Sequence, residues 1–149
     1  MLTKLLPDQI AKFWDVIKYS IEESIPPIAT WTPDMTNKIL SSLLCGKAHC
    51  WISYTLEGEQ RKLEGVVITQ ILYDDISDTR NLLIYCLSGY DGFQKDSWLK
   101  GFKSLVKFAA SKNCKSIVAY TDVPSIINMT KKLGGEARQT FISLPLSKN

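Results

Sequence analysis

No run in the chain approaches the roughly 20 consecutive apolar residues of a membrane-spanning helix, so no spanning segment is expected. The amino terminus, MLTKLLPDQ, has a proline and an aspartate where a secretory leader needs an apolar core, which points to a cytosolic protein. Cysteine is sparse. Cys45, Cys50, Cys86 and Cys114 fall in or beside expected elements and not in a loop framework, so reduced thiols are expected in place of disulfides. Charge of one sign is also scarce: a net charge of +3 does not by itself imply a nucleic-acid partner. There is no internal repeat, low-complexity tract or linker. What remains is 149 residues, 45% hydrophobic and 22% charged, an ordinary composition for one soluble domain spanning 1–149.

The stretch from Asn81 to Thr121 organises the rest. Asn81 to Leu87 reads as a buried strand closed by the turn residues Ser88, Gly89, Asp91 and Gly92. From Trp98 the large apolar residues recur at Leu99, Phe102, Leu105, Val106 and Ala109, while Lys100, Lys103, Lys107 and Ser111 take the opposite face. This is an amphipathic helix with Trp98 and Phe102 toward the core, capped by Asp96 or Ser97 and stopped by Lys112 and Asn113. Ser116 to Tyr120 is again apolar and β-branched. Strand, crossover helix and strand predict a parallel pair, with a loop of free backbone N–H groups where an anion is favoured.

Elsewhere, Leu2 to Leu6 is a short extended piece. A helix opened by Pro7 and Asp8 carries Ile10, Phe13, Trp14, Ile17 and Ile21, and it ends before Pro26 and Pro27. Thr32 is the expected N-cap of a second helix with Met35, Ile39, Leu40, Leu43 and Leu44, closed by Gly46. Lys47 to Glu57 and Leu63 to Tyr73 read as a hairpin turning over Gly58 to Lys62, and Asp74 to Asp78 is a polar turn. A helix from Val123 or Pro124 carries Ile126, Ile127, Met129 and Leu133 up to Gly134 and Gly135, and Glu136 to Leu146 is the last expected strand.

The cluster CGKAHC, Cys45 to Cys50, invites a zinc reading through His49, yet a fourth ligand at standard spacing is missing, and no metal is expected. Lys100, Lys103 and Lys107 lack the interleaved aromatics of a single-strand binder, which disfavours nucleic acid.

The order strand, helix, helix, three strands, helix, strand, helix, strand resembles the GNAT family of acyl-CoA N-acyltransferases over essentially the whole chain. The most specific part is FKSLVKFAASKNCKSIVAYT followed by a short helix ending KKLGGEA. Small GNAT-like proteins of bacteriophages are similar too, through the tryptophan at the helix start, here Trp98, and the Asn113–Cys114 step. The resemblance implies an α/β fold of the α+β mixed-sheet kind, with helices on both faces of a central sheet. It also implies acetyl-CoA in a gap between the strands flanking the long helix, contacting Leu87, Gly92, Phe93, Gln94, Lys95, Asp96, Ser97, Trp98 and Lys100.

Two motif positions depart from the family. The window Asp91 to Trp98, DGFQKDSW, has Gly92 alone of the expected glycines and places Asp96 where phosphate should sit, so acetyl-CoA binding is expected to be weak. Thr130 stands where many members carry a tyrosine acid, which moves that role to Tyr85, Tyr90 or Tyr120. Glu64, Asp74 and Asp75 are the carboxylates available as a base. Tyr85 and Cys86 should face opposite sides of the sheet, and an apolar strand makes Cys86 a poor nucleophile. Two functions follow from the resemblance. One is N-acetyl transfer from acetyl-CoA to an unknown amine acceptor. The other is a non-catalytic role as a phage virion component or host-interaction protein, in the host cytoplasm or the virion.

Overall fold

The computed structural model describes residues 2–89, 95–121 and 124–146, apart from the side chains of 95–98 and 125. The chain falls into two compact units, Met1–Ala119 and Tyr120–Asn149.

The first unit holds a five-stranded sheet in the order β1-β2-β3-β4-β5, formed by β1 (Leu2–Lys4), β2 (Ala48–Glu57), β3 (Gln60–Asp74), β4 (Thr79–Gly89) and β5 (Ser116–Ala119). The first four strands are antiparallel neighbours, and β5 runs parallel to β4, as the crossover predicts. Helices α1 (Pro7–Lys12), α2 (Trp14–Glu23) and α3 (Met35–Cys45) connect β1 to β2, and α4 (Lys95–Ser111) connects β4 to β5.

Two apolar clusters form on the sheet. Ile10, Ile17, Ile21, Met35, Ile39 and Leu43 of α1–α3 pack with Cys50, Val66, Ile68 and Cys86. Leu105 and Ala109 of α4 pack with Leu2, Trp51, Val67 and Leu82. The expected first helix is two helices broken at Phe13, which is 39% exposed; no proline or glycine nearby explains the break. Asp34, not Thr32, is the N-cap of α3: the Thr32 hydroxyl donates to Asp34 Oδ1 at 2.9 Å, and Lys38 pairs with the same carboxylate one turn on. The β2–β3 turn is tighter than expected, because Glu57 already pairs with Gln60 and only Gly58 and Glu59 lie between them.

Helix α4 starts at Lys95, earlier than Trp98, so Asp96 and Ser97 lie inside its first turn and neither is the cap. A carboxylate there complements the positive end of the helix dipole. Its buried stripe is Gly101, Leu105 and Ala109, with Leu99, Phe102 and Phe108 half-buried, while Val106 is 44% exposed. The expected face is thus kept at Leu105 and Ala109, lost at Val106, and extended to Phe108. Asn113, at φ 60°, ends the helix in the left-handed region.

The second unit holds α5 (Pro124–Lys132), closed where Gly135 N–H donates to Thr130 O at 2.9 Å with Gly134 at φ 89°. The expected strand Glu136 to Leu146 is not formed: residues 136–146 are exposed and outside any ladder. Alternating apolar residues make a strand only when backbone groups find a partner, and here the contacts among the described residues are between side chains, Arg138 with Glu136 and the ring of Phe141 against Tyr120.

Candidate functional site

The site is built by the way β4 leaves β5. Their parallel ladder covers Asn81 to Ile84 against Ser116 to Ala119 and stops there, while β4 continues to Gly89. At the same point the β3 ladder slips: Ile68 pairs with Cys86 and Thr69 with Ile84, so Tyr85 is the extra residue of a bulge. A bulge bends its strand and increases its twist. Beyond it, among the described residues, Tyr85 to Gly89 have no strand on the β5 side.

The bulge also changes which way side chains point. Leu82 and Ile84 belong with the α4-side cluster, but Tyr85 and Cys86 both pack against the α1–α3 cluster. The expectation that they face opposite sides therefore fails, because the extra residue breaks the period of two. Tyr85 is half-buried, and burial raises its phenol above the ordinary value. Burial likewise pushes the Cys86 thiol up to about 11, leaving it protonated and unreactive at neutral pH.

The carboxylates lie elsewhere. Glu64 is the extra residue of a second bulge, with Ser53 paired to Gly65 and Tyr54 to Leu63. It is buried and accepts a hydrogen bond from Ser53 Oγ at 3.4 Å. Ser53 lies opposite Leu2 in the ladder, and Leu2 belongs to the α4-side cluster, so Glu64 turns to the face away from Tyr85. Asp74 sits at the far end of β3, where it accepts from Ile76 N at 3.1 Å and Ser77 Oγ at 2.8 Å. The Ser77 bond, then the Ile76 amide, hold its carboxyl below the usual range. It organises a turn remote from the parting of the strands.

Leu87 packs on the α4 side, and Lys100 is exposed on α4. Gly92, Phe93 and Gln94 lie outside the described residues, as do the side chains of Lys95, Asp96, Ser97 and Trp98, whose backbone forms the first turn of α4. Tyr90 is outside them too. Tyr120, 39% exposed, opens the second unit. Thr130 donates its hydroxyl to Ile126 O at 2.8 Å, one turn back in α5.

Cys45, His49 and Cys50 do not converge. Cys45 is exposed with its thiol toward Ser42 O, Cys50 is buried in the α1–α3 cluster, and His49 bonds Thr69 across the sheet. Among the described residues no three potential ligands cluster. The polar set His49, Trp51 and Thr69 went unrecognised in the sequence; its one signal is Thr69, a hydroxyl inside the apolar run VVITQIL. No helix among the described residues is long and apolar enough to cross a membrane.

Neither a protein-family model nor a curated protein matches the sequence. Solved structures do match. A probable acetyltransferase is 12% identical with a TM-score of 0.70, covering 100% of this chain and 99% of that one. An aminoglycoside acetyltransferase from an uncultured soil metagenomic sample, solved with sisomicin, is 15% identical with a TM-score of 0.69, covering 100% and 96%. A predicted acetyltransferase from Clostridium acetobutylicum, solved with acetyl-CoA, is 18% identical with a TM-score of 0.67, covering 98% and 96%. The mixed sheet with its helices thus has the GNAT acetyltransferase fold.

Proposed function

We propose that the chain transfers an acetyl group from acetyl-CoA to an amine. The observation that carries this reading is the parting of β4 from β5 after Ile84 and Ala119, at the Tyr85 bulge and just before the connection to α4. Backbone groups of Tyr85 to Gly89 left without a β5 partner suit an extended ligand laid along the strand. The amino end of a 17-residue helix follows, where backbone N–H groups favour phosphate.

Leu87 and the segment Gly92, Phe93, Gln94, Lys95, Asp96, Ser97 and Trp98 would hold acetyl-CoA, with Lys95 and Lys100 supplying cations for its phosphates. Asp96 sets a negative charge in the same turn, which weakens the hold. When bound, acetyl-CoA supplies an activated acyl carbon. Tyr85 is assigned the proton delivered to the leaving thiolate, because it stands where the strands part and a phenol carries its proton at neutral pH. Glu64 and Asp74 do not share a place with Tyr85, so neither is assigned as base. The neighbour solved with sisomicin makes aminoglycoside amines the first acceptors to test.

Acetyl-CoA at 100 times its dissociation constant should stabilise the protein by about 2.7 kcal/mol, a rise of very roughly 5–10 °C in melting temperature. A smaller but measurable rise is expected at 1 mM, reduced in Lys95→Ala with Lys100→Ala. Thiol release in the presence of sisomicin should fall at least tenfold in Tyr85→Phe. A melting temperature unmoved by acetyl-CoA would remove the transferase reading and leave a non-catalytic binding protein.

A further inference from the structure

Near its carboxyl end α4 meets the sheet through one aromatic ring. Phe108 packs edge-on against His49 and Trp51 of β2, with centroids 4.8 and 5.2 Å away. Thr69 of β3 ties those two rings together, its Oγ1 lying 3.2 Å from His49 Nδ1 and accepting Trp51 Nε1 at 3.0 Å. The last turns of the helix are otherwise lightly held. Beyond Leu105 the buried residue is Ala109, Phe108 is half-buried, and Val106, Lys107, Ala110 and Ser111 are exposed. The amides of Lys112, Asn113 and Cys114 close this end by donating to the carbonyls of Phe108, Ala110 and Ala109.

The charges around this contact are all of one sign. Lys4 of β1 and Lys112, just past α4, bring their ammonium groups to 5.5 and 5.8 Å from the Phe108 centroid. Among the described residues neither lysine forms an ion pair, and nor does His49. On β2 the titratable neighbour of His49 is Cys50, which belongs to the other cluster and stays neutral, its thiol pushed up to about 12 by burial. From β3 the facing group is the uncharged Thr69. His49 itself is 9% exposed, and burial first, then Lys4 and Lys112, hold its imidazole below the ordinary value, against a smaller opposing effect of the Thr69 backbone. The electron-rich ring of Phe108 is already shared by two ammonium groups, so an imidazolium would be a third cation in a poorly hydrated place.

We propose that the packing of Phe108 on His49 is an acid-released latch: proton uptake by His49 sets a third cation beside Lys4 and Lys112, and the carboxyl end of α4, from Phe108 to Lys112, lifts from β2 while the rest of the sheet stays folded. Lifting gives the imidazolium water and separates Lys112 from it. The lifted form binds the proton more tightly than the seated one, so acid shifts the balance toward it by at most about tenfold per pH unit, starting near the ordinary histidine value of about 6.5 and ending at the lower seated value. Above that window the latch stays shut. The device does not depend on acetyl transfer, which is placed at the opposite end of α4.

Amide hydrogen exchange, read residue by residue and corrected for intrinsic rates, tests this. From pH 7 to pH 5 the protection of the Lys112, Asn113 and Cys114 amides should fall by roughly threefold or more, within the one-proton limit, while that of Ile17 to Ile21 in α2 holds. His49 is the only histidine in the chain, so its imidazole resonances report the proton directly, and their midpoint should lie below the ordinary value. Lys4→Gln with Lys112→Gln, both at exposed positions, should raise that midpoint and reduce the fall at Asn113 and Cys114. His49→Gln should abolish the fall. Protection at these amides that is the same at both pH values, that falls equally in α2, or that falls as much in either variant as in the native protein would overturn the latch.

Discussion

The face of the sheet beneath α1–α3 is filled by Ile10, Ile17, Ile21, Val66 and Ile68, whereas the face beneath α4 buries His49, Ser53, Glu64 and Thr69 among its apolar residues. On the first face a buried hydroxyl such as Ser20 bonds back to its own helix, at Val16 O, 2.9 Å away. On the second, hydrogen bonds run between strands, from Trp51 to Thr69 and from Ser53 to Glu64. One side is a sorted apolar layer; the other fixes the positions of particular side chains. Stability should therefore depend on volume on the first face and on polar pairing on the second.

The largest effect should come from the apolar face. Ile17→Ala, at a fully buried position, is expected to cost about 2–5 kcal/mol in urea denaturation. Thr69→Val keeps the shape but removes the acceptor of the Trp51 indole, and should cost about 1–3 kcal/mol. If the valine were neutral, pairing would not matter on the α4 face and the contrast would break.

The same face should show a pH dependence the other lacks. His49 titrates lower in the folded protein than in the unfolded chain, so as pH falls below about 6.5 the unfolded state takes up the proton first. Stability contributed by the neutral imidazole is fully present above that value and declines below it, toward the folded value. Comparing urea midpoints at pH 7.5 and 5.5, the native protein should lose more than His49→Gln; equal losses would place the titration elsewhere. Lys103→Ala, on the exposed side of α4, should change stability by less than about 0.5 kcal/mol, the smallest effect expected and a baseline for the others.

The order of elements was legible because periodicity is a local property. The 3.6-residue stripes of α3 and α4, the glycine after α3 and the apolar runs of β2, β3 and β4 each declare themselves within a dozen residues. Features set by partners were not. The bulge at Tyr85 exists only in its pairing with Ile68 and Thr69, and nothing in LLIYCLS marks it. The same holds for the face of α4. Phe108 was not part of the expected stripe, and it is taken into contact because His49 and Trp51 offer it rings to pack on. Residues 136–146 failed for the converse reason, since they have the alternation of a strand and no ladder. The candidate carboxylates Glu64 and Asp74 were chosen by residue type, and register puts them on the other face and at the other end from Tyr85.

The lengths of the strands bear on self-association. The sheet ends on one side in a strand of three residues and on the other in a strand of four, while the strands of 10, 15 and 11 residues lie inside. Short edges themselves offer foreign chains little template for cross-molecular pairing, but they cover little of their longer neighbours: β1 pairs with only Trp51 to Ser53 of β2. β4 likewise outruns β5 from Tyr85 to Gly89 among the described residues. The opening that would admit a ligand is thus also a point where another polypeptide could dock, and the twist imposed by the bulge at its first residue makes it a poor template for aggregation.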